Sequence, residues 1–242
     1  MIRQAIEPDF PIAACDECAI RIDSLVRAYG VHATFLRLYA DECGNAMSLM
    51  DGVAVLYCCE NAEEWSVFIT MNPEIMRVHC SASFGKLLTS LGGWQGREGV
   101  VLKYCGATDM AVYNACENPY LPKVHALLFM CFDQVPTLNA WYPDVSHRLR
   151  HHCAKIASII VDDQVVSTAM TVAETDVAAV LGQVATHSDF RGRGYAQACI
   201  NSLISRCKDK TLYILPMTDY AQSLYEKMGF SAEGEWAEIQ RI

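Results

Sequence analysis

The stretch Val184-Ala185-Thr186-His187-Ser188-Asp189-Phe190-Arg191-Gly192-Arg193-Gly194-Tyr195-Ala196 constrains this chain more than any other part of its sequence. It opens as a strand, breaks into a turn rich in glycine and arginine, and reopens as a helix. A helix start exposes unpaired backbone N–H groups and the positive end of the helix dipole. Glycine at 192 and 194 removes side chains that would hold a phosphate away from those groups. Arg191 and Arg193 add charge, and a guanidinium fork can hold phosphate oxygens in pairs. The dipole contributes only about 0.3–1 kcal/mol per exposed charge, so convergent N–H groups must do most of the holding. These physics describe a pyrophosphate cradle. It has neither the G-K-[ST] ending of a Walker loop nor G-x-G-x-x-G spacing.

Around this segment the sequence alternates strands and helices. In the first half, helical spacing covers Ala13 to Tyr29 and Ser81 to Leu91. Strands are expected at Thr34 to Tyr39, Met47 to Met50, Val53 to Tyr57 (after an Asp51-Gly52 hairpin turn) and Val100 to Tyr104. The second half reads as helices at Tyr120 to Phe132 and Asp144 to Lys155, followed by strands Ile156 to Val161, Val165 to Ala173 and Val177 to Thr186. Then come a helix from Gly194 to Cys207, the strand Thr211 to Leu215, a helix from Asp219 to Met228 and a strand from Phe230. A shift of about 112 positions lays one half on the other and sets the helix at Ser81 on that at Arg193. Two readings stay open: an internal duplication, or a chance recurrence of hairpins and helices. The division expected is 1–112 and 113–242.

The composition excludes several classes. Hydrophobic residues make up 52% of the 242, enough for a sizeable core, and no run is long enough to span a membrane. The net charge of −9 argues against sequence-independent nucleic-acid binding, which needs a basic face. Met1 to Pro8 lacks the apolar run of a signal peptide, so the location expected is cytoplasmic, with the 12 cysteines reduced. Cys15-Asp16-Glu17-Cys18 is a lone C-x-x-C without a second ligand pair, and no metal is expected there.

The turn reads R-G-R-G-Y-A and is followed downstream by A-Q-S-L-Y-E-K-M-G-F. Together these resemble the signatures of the GNAT superfamily of N-acetyltransferases, over roughly Ile156 to Glu235. The resemblance implies an α/β (α+β) fold with a mixed, mostly antiparallel central sheet flanked by helices, here in two tandem GNAT-like domains. The first would be degenerate, since Gln95-Gly96-Arg97-Glu98-Gly99 precedes a strand and opens no helix. It also implies acetyl-CoA as co-substrate. Backbone amides of Arg193, Gly194, Tyr195 and Ala196, with Arg191 and Gly192, would hold its pyrophosphate. The edge at Val184, Ala185 and Thr186 would pair with pantetheine, where this strand splays from Thr211 to Leu215. Thr218 stands where the family often has an asparagine that bonds the cofactor.

Acyl transfer from a thioester to an amine needs a free amine, a stabilised oxyanion and a protonated leaving thiol. Tyr225 matches the family tyrosine that donates a proton to the departing sulfur, and an N–H near Val184 would polarise the thioester carbonyl. Glu174 is the candidate general base, with Asp176 and His187 as further candidates. His147, His151 and His152 share one helical stretch and would line the acceptor pocket. The expected acceptor is a primary amine of a small molecule or amino-acid-like substrate, attacked in a ternary complex. A protein amino group as acceptor and a non-catalytic acyl-CoA sensor are the alternatives. Neither nucleic acid nor membrane is an expected partner.

Overall fold

Asp16 starts the first helix by a rule readable from sequence: its Oδ1 accepts N–H bonds from Cys18 (2.8 Å) and Ala19 (3.2 Å). That helix, α1 (Glu17–Tyr29), ends at Gly30, whose φ of 76° suits glycine. The computed structural model describes residues 1–5, 16–106 and 114–242. Cys15, the expected helix start at Ala13 and the expected boundary at 112/113 lie outside the described residues.

The chain forms two compact units. The first comprises Met1–Leu102, Leu215–Gln222 and Ala232–Ile242; the second comprises Lys103–Ile214 and Ser223–Ser231. The last strand of the chain therefore returns to the first unit. No single cut in sequence separates the two.

In the first unit the strands run β1 (Arg3–Gln4), β2 (Leu36–Ala40), β3 (Ala46–Met50), β4 (Val53–Tyr57), β5 (Arg77–Ser81), β11 (Phe230–Arg241) and β6 (Trp94–Tyr104), in that spatial order. β1 through β4 pair antiparallel, β4 and β5 parallel, and β5 and β11 antiparallel. Helix α2 (Ala62–Met71) is the crossover between the parallel strands, and α3 (Ala82–Ser90) follows β5. Trp65, Ile69, Leu88, Val78 and Ile75 are fully buried in its core.

In the second unit, α4 (Leu121–Cys131) and α5 (Leu138–Arg150) precede β7 (Ile156–Val161), β8 (Gln164–Glu174) and β9 (Ala178–Thr186), which pair antiparallel. Helix α6 (Tyr195–Arg206) then carries the chain to β10 (Thr211–Ile214), parallel to β9. Helix α7 (Asp219–Lys227) contributes residues to both units. Among the described residues no helix is long and apolar enough to cross a membrane. The sheets are thus mixed and mostly antiparallel, with flanking helices, as expected.

The two halves repeat a topology, in a register other than the 112-residue shift. Each unit has a parallel strand pair bridged by one helix: β4–α2–β5 and β9–α6–β10. So α2, not α3, corresponds to α6. Sequence reading missed α2 because Val67, Phe68, Ile69 and Thr70 favour strands, while Trp65, Ser66 and Ile69 form its buried face. It also missed β5, a five-residue strand. Helix α5 starts at Leu138 rather than Asp144, since it absorbs Pro143 in its interior. β6 starts at Trp94 because Gly96 and Gly99 serve close approach instead of a turn. A Cβ at Gly96 would lie 2.0 Å from the Glu238 carbonyl oxygen, and one at Gly99 2.9 Å from the Trp236 indole nitrogen.

Candidate functional site

Strands β9 and β10 pair from Ala178↔Thr211 to Leu181↔Ile214, where β10 ends. β9 continues from Gly182 to Thr186, held on its other edge by β8. On the β10 side this run has N–H and C=O groups without a ladder partner, which suits the amides of an extended ligand. The run is also bulged. Met170 pairs with Gly182 but Thr168 with Ala185, so β9 carries one extra residue there. Gln183 takes up the bulge with φ of 49°, and its Oε1 is buried without a hydrogen-bond partner. Val184 lies beside this kink. Ala185 is buried in the core, and Thr186 bonds Ser167 through their hydroxyls at 2.9 Å.

After β9, His187 accepts the Asp189 N–H at Nδ1 and starts a short 3-10 turn over Ser188–Phe190. Gly192 and Gly194 then adopt φ of 75° and 77°, and a Cβ at Gly192 would meet open space. Gly194 is the N-cap of α6 and supplies no side-chain cap; the first helical bond is Ala198 N–H to Gly194 C=O. The N–H groups of Tyr195, Ala196 and Gln197 precede that bond and point out of the helix start. Arg191 Nε donates to the Thr186 carbonyl at 3.2 Å. Arg193 Nη2 donates to the Asp189 carbonyl at 3.2 Å, and its guanidinium lies over the Phe190 ring at 5.0 Å. Both cations are exposed beside the helix start. A bare helix N-terminus, two glycines in the left-handed region and two arginines thus form one turn suited to an anion, directly after an open strand edge.

The corresponding turn of the first unit disfavours anions. Asn45 Oδ1 accepts the N–H groups of Cys59 (2.8 Å) and Glu60 (3.3 Å), just ahead of the Asn61 N-cap of α2. Asn45 is itself held by Asp41, which also accepts from Trp65 Nε1 at 2.8 Å. Glu63 and Glu64 occupy the first turn of α2 and place negative charge at its start, which repels an anion.

Tyr225 lies on α7 in the same compact unit as the open edge and the glycine–arginine turn. It is 5% exposed, its ring 6.2 Å from that of Phe230, and burial pushes its phenol up to about 12. The proton therefore stays on at neutral pH. Thr218 falls in the first unit, where its Oγ1 accepts the Ala221 N–H at 3.2 Å and so caps α7.

The structure does not bring Glu174 together with these groups. Glu174 pairs with Ala179, at the opposite end of β9 from the open run. Its carboxylate is 2% exposed and bonds Lys155, Lys210 (2.7 Å) and the Thr171 hydroxyl (2.9 Å). Burial alone would raise its pKa; the two lysines outweigh it and hold the carboxyl below its ordinary value. It serves as an ion-pair anchor, in place of the general base expected from sequence. Because the folded-state pKa is depressed, its stabilisation is present above the ordinary carboxylate range and is lost as pH falls through it. Glu174→Ala is expected to cost about 2 kcal/mol by leaving two lysines unpaired. Denaturation and coenzyme titration will check this: midpoint lowered, coenzyme affinity unchanged. Asp176 is an exposed turn residue. The rings of His147 and His151 lie 4.2 Å apart between centroids, tilted by 32°, near the end of α5.

Residues 121–230 match the model of the acetyltransferase (GNAT) family. No curated protein matches the chain. Among solved structures, a GCN5-related N-acetyltransferase from Kribbella flavida aligns with a TM-score of 0.64 at 13% identity, covering 93% of each chain. A GNAT-family acetyltransferase from Colwellia psychrerythraea aligns at 0.61 and 11% identity over 100% of both chains. A tandem GNAT protein from the clavulanic acid biosynthesis pathway aligns at 0.60 and 11% identity over 99% of this chain and 97% of that one. At these identities the alignments establish the fold, and they extend over both units. Residues 121–230 thus carry the match to the acetyltransferase (GNAT) family, and the chain as a whole shares the fold of GNAT proteins.

Proposed function

We propose that the second unit transfers an acyl group from acetyl-CoA to a primary amine of a small or amino-acid-like substrate, by direct attack in a ternary complex. The observation that carries this reading is the uncapped start of α6 placed directly after the open, bulged run of β9. The pyrophosphate of the coenzyme sits on the N–H groups at 193–196, flanked by Arg191 and Arg193. The pantetheine amides pair with Val184, Ala185 and Thr186 and take the place of a missing strand. The Gln183 bulge turns a backbone N–H toward the thioester carbonyl and stabilises its developing negative charge.

The amine attacks as the free base. Its nitrogen bonds the carbonyl carbon as the C–S bond breaks, and Tyr225 gives its proton to the leaving sulfur. The proton lost from nitrogen returns through water to the tyrosine. Tyr225 suits this task because burial keeps it protonated.

Thiol release from acetyl-CoA in the presence of a panel of amines, amino acids and peptides tests the proposal. Turnover with small amines supports it. Turnover confined to peptides assigns a protein amino group instead, and tight binding without turnover on any acceptor leaves a sensor.

A further inference from the structure

The first unit holds a cluster that the acyl-transfer reading does not use. Glu17 and Cys18, at the start of α1, lie against His79 of β5 with carboxylate oxygen, thiol sulfur and ring nitrogen all within 4.8 Å of one another. All three are largely buried, at 5%, 4% and 12% exposure. Glu17 Oε1 is the hub: His79 Nε2 lies 2.6 Å from it, and the Cys18 thiol donates to it at 3.4 Å. The other carboxylate oxygen, Oε2, accepts from Arg21 Nε at 2.7 Å, which fixes the plane of the carboxylate with Oε1 facing the cluster. The imidazole is fixed as well, stacked on Trp236 at 5.8 Å and 23°. His79 is the last β5 residue paired with β4 before those strands part.

We propose that Glu17, Cys18 and His79 form a binding site for a borderline-soft divalent cation of the zinc type. Carboxylate, thiolate and imidazole are the three donor types that zinc combines, and three protein donors leave a fourth position for water. The charges balance: thiolate and carboxylate neutralise a dication, and Cys18 gives up its proton on binding. Burial and the carboxylates of Glu17 and Asp16 hold that proton on in the metal-free protein, so the dication itself displaces it. Arg21 and Trp236 are the outer groups that orient the donors, as metal sites require. The simpler alternative is an Arg21–Glu17–His79 ion cluster that only ties α1 to β5.

Cobalt(II) as probe separates the two. The full-length protein, reduced and freed of metal by chelation, is titrated with Co²⁺ and its absorption recorded. The proposal expects one equivalent bound, with a thiolate-to-cobalt charge-transfer band and the intense visible bands of a four-coordinate site. Cys18→Ser removes the charge-transfer band, His79→Gln weakens binding at least tenfold, and His147→Ala, which alters the histidine pair at the end of α5, changes neither. A wild-type spectrum without the thiolate band overturns the proposal, whatever the variants do. So does a band that survives Cys18→Ser or disappears with His147→Ala.

Discussion

Tyr225→Phe lowers the rate of acyl transfer by about 10²–10⁴-fold, the usual contribution of a positioned proton donor, while acetyl-CoA binds as before. The substitution removes one hydroxyl and keeps the ring that packs on Phe230, so the fold is little changed. The wild-type pH profile carries a second signature. An acid must be protonated to act, so a tyrosine with an ordinary pKa near 10 loses activity as pH rises through that value. Burial sets Tyr225 at about 12, so the wild-type rate holds through that range. A Tyr225→Phe enzyme with undiminished turnover means the leaving sulfur takes its proton elsewhere.

Gly194→Val abolishes useful coenzyme binding. At φ of 77° a β-branched residue is strained by about 1–3 kcal/mol, and its methyls cover the N–H groups of the first turn. Losing two hydrogen bonds to a charged pyrophosphate, each worth about 1.5–3 kcal/mol, weakens acetyl-CoA by about 10²–10⁴-fold. Equilibrium titration reads this directly, and circular dichroism shows whether α6 still forms. Affinity retained in a folded variant places the pyrophosphate elsewhere.

Much of the second unit was legible because its rules are local. The strands 156–161, 164–174 and 178–186 follow from apolar runs and turn residues, and the cradle follows from two glycines at positive φ ahead of a helix. What escaped depended on distant partners. Glu174 reads as a candidate base in sequence, where nothing announces that Lys155 and Lys210, far off in the chain, enclose it. The bulge at Gln183 arises from pairing with β8 and has no signature of its own. Gly96 and Gly99 resembled a turn because nothing nearby announces that β11 packs against them. The return of residues 232–242 to the first unit has no local signature for the same reason. Glu17 and His79, 62 positions apart, likewise meet only through packing. The first unit lacks the glycine motif in its sequence, and the acids at the start of α2 are a further difference from α6.

The most direct test of the central claim is calorimetric titration of the full chain with acetyl-CoA. One cradle is open at α6 and its counterpart at α2 carries Glu63 and Glu64, so one equivalent binds per chain, and Gly194→Val removes it. Two equivalents, or one that persists in folded Gly194→Val, would contradict the assignment of the coenzyme to the start of α6.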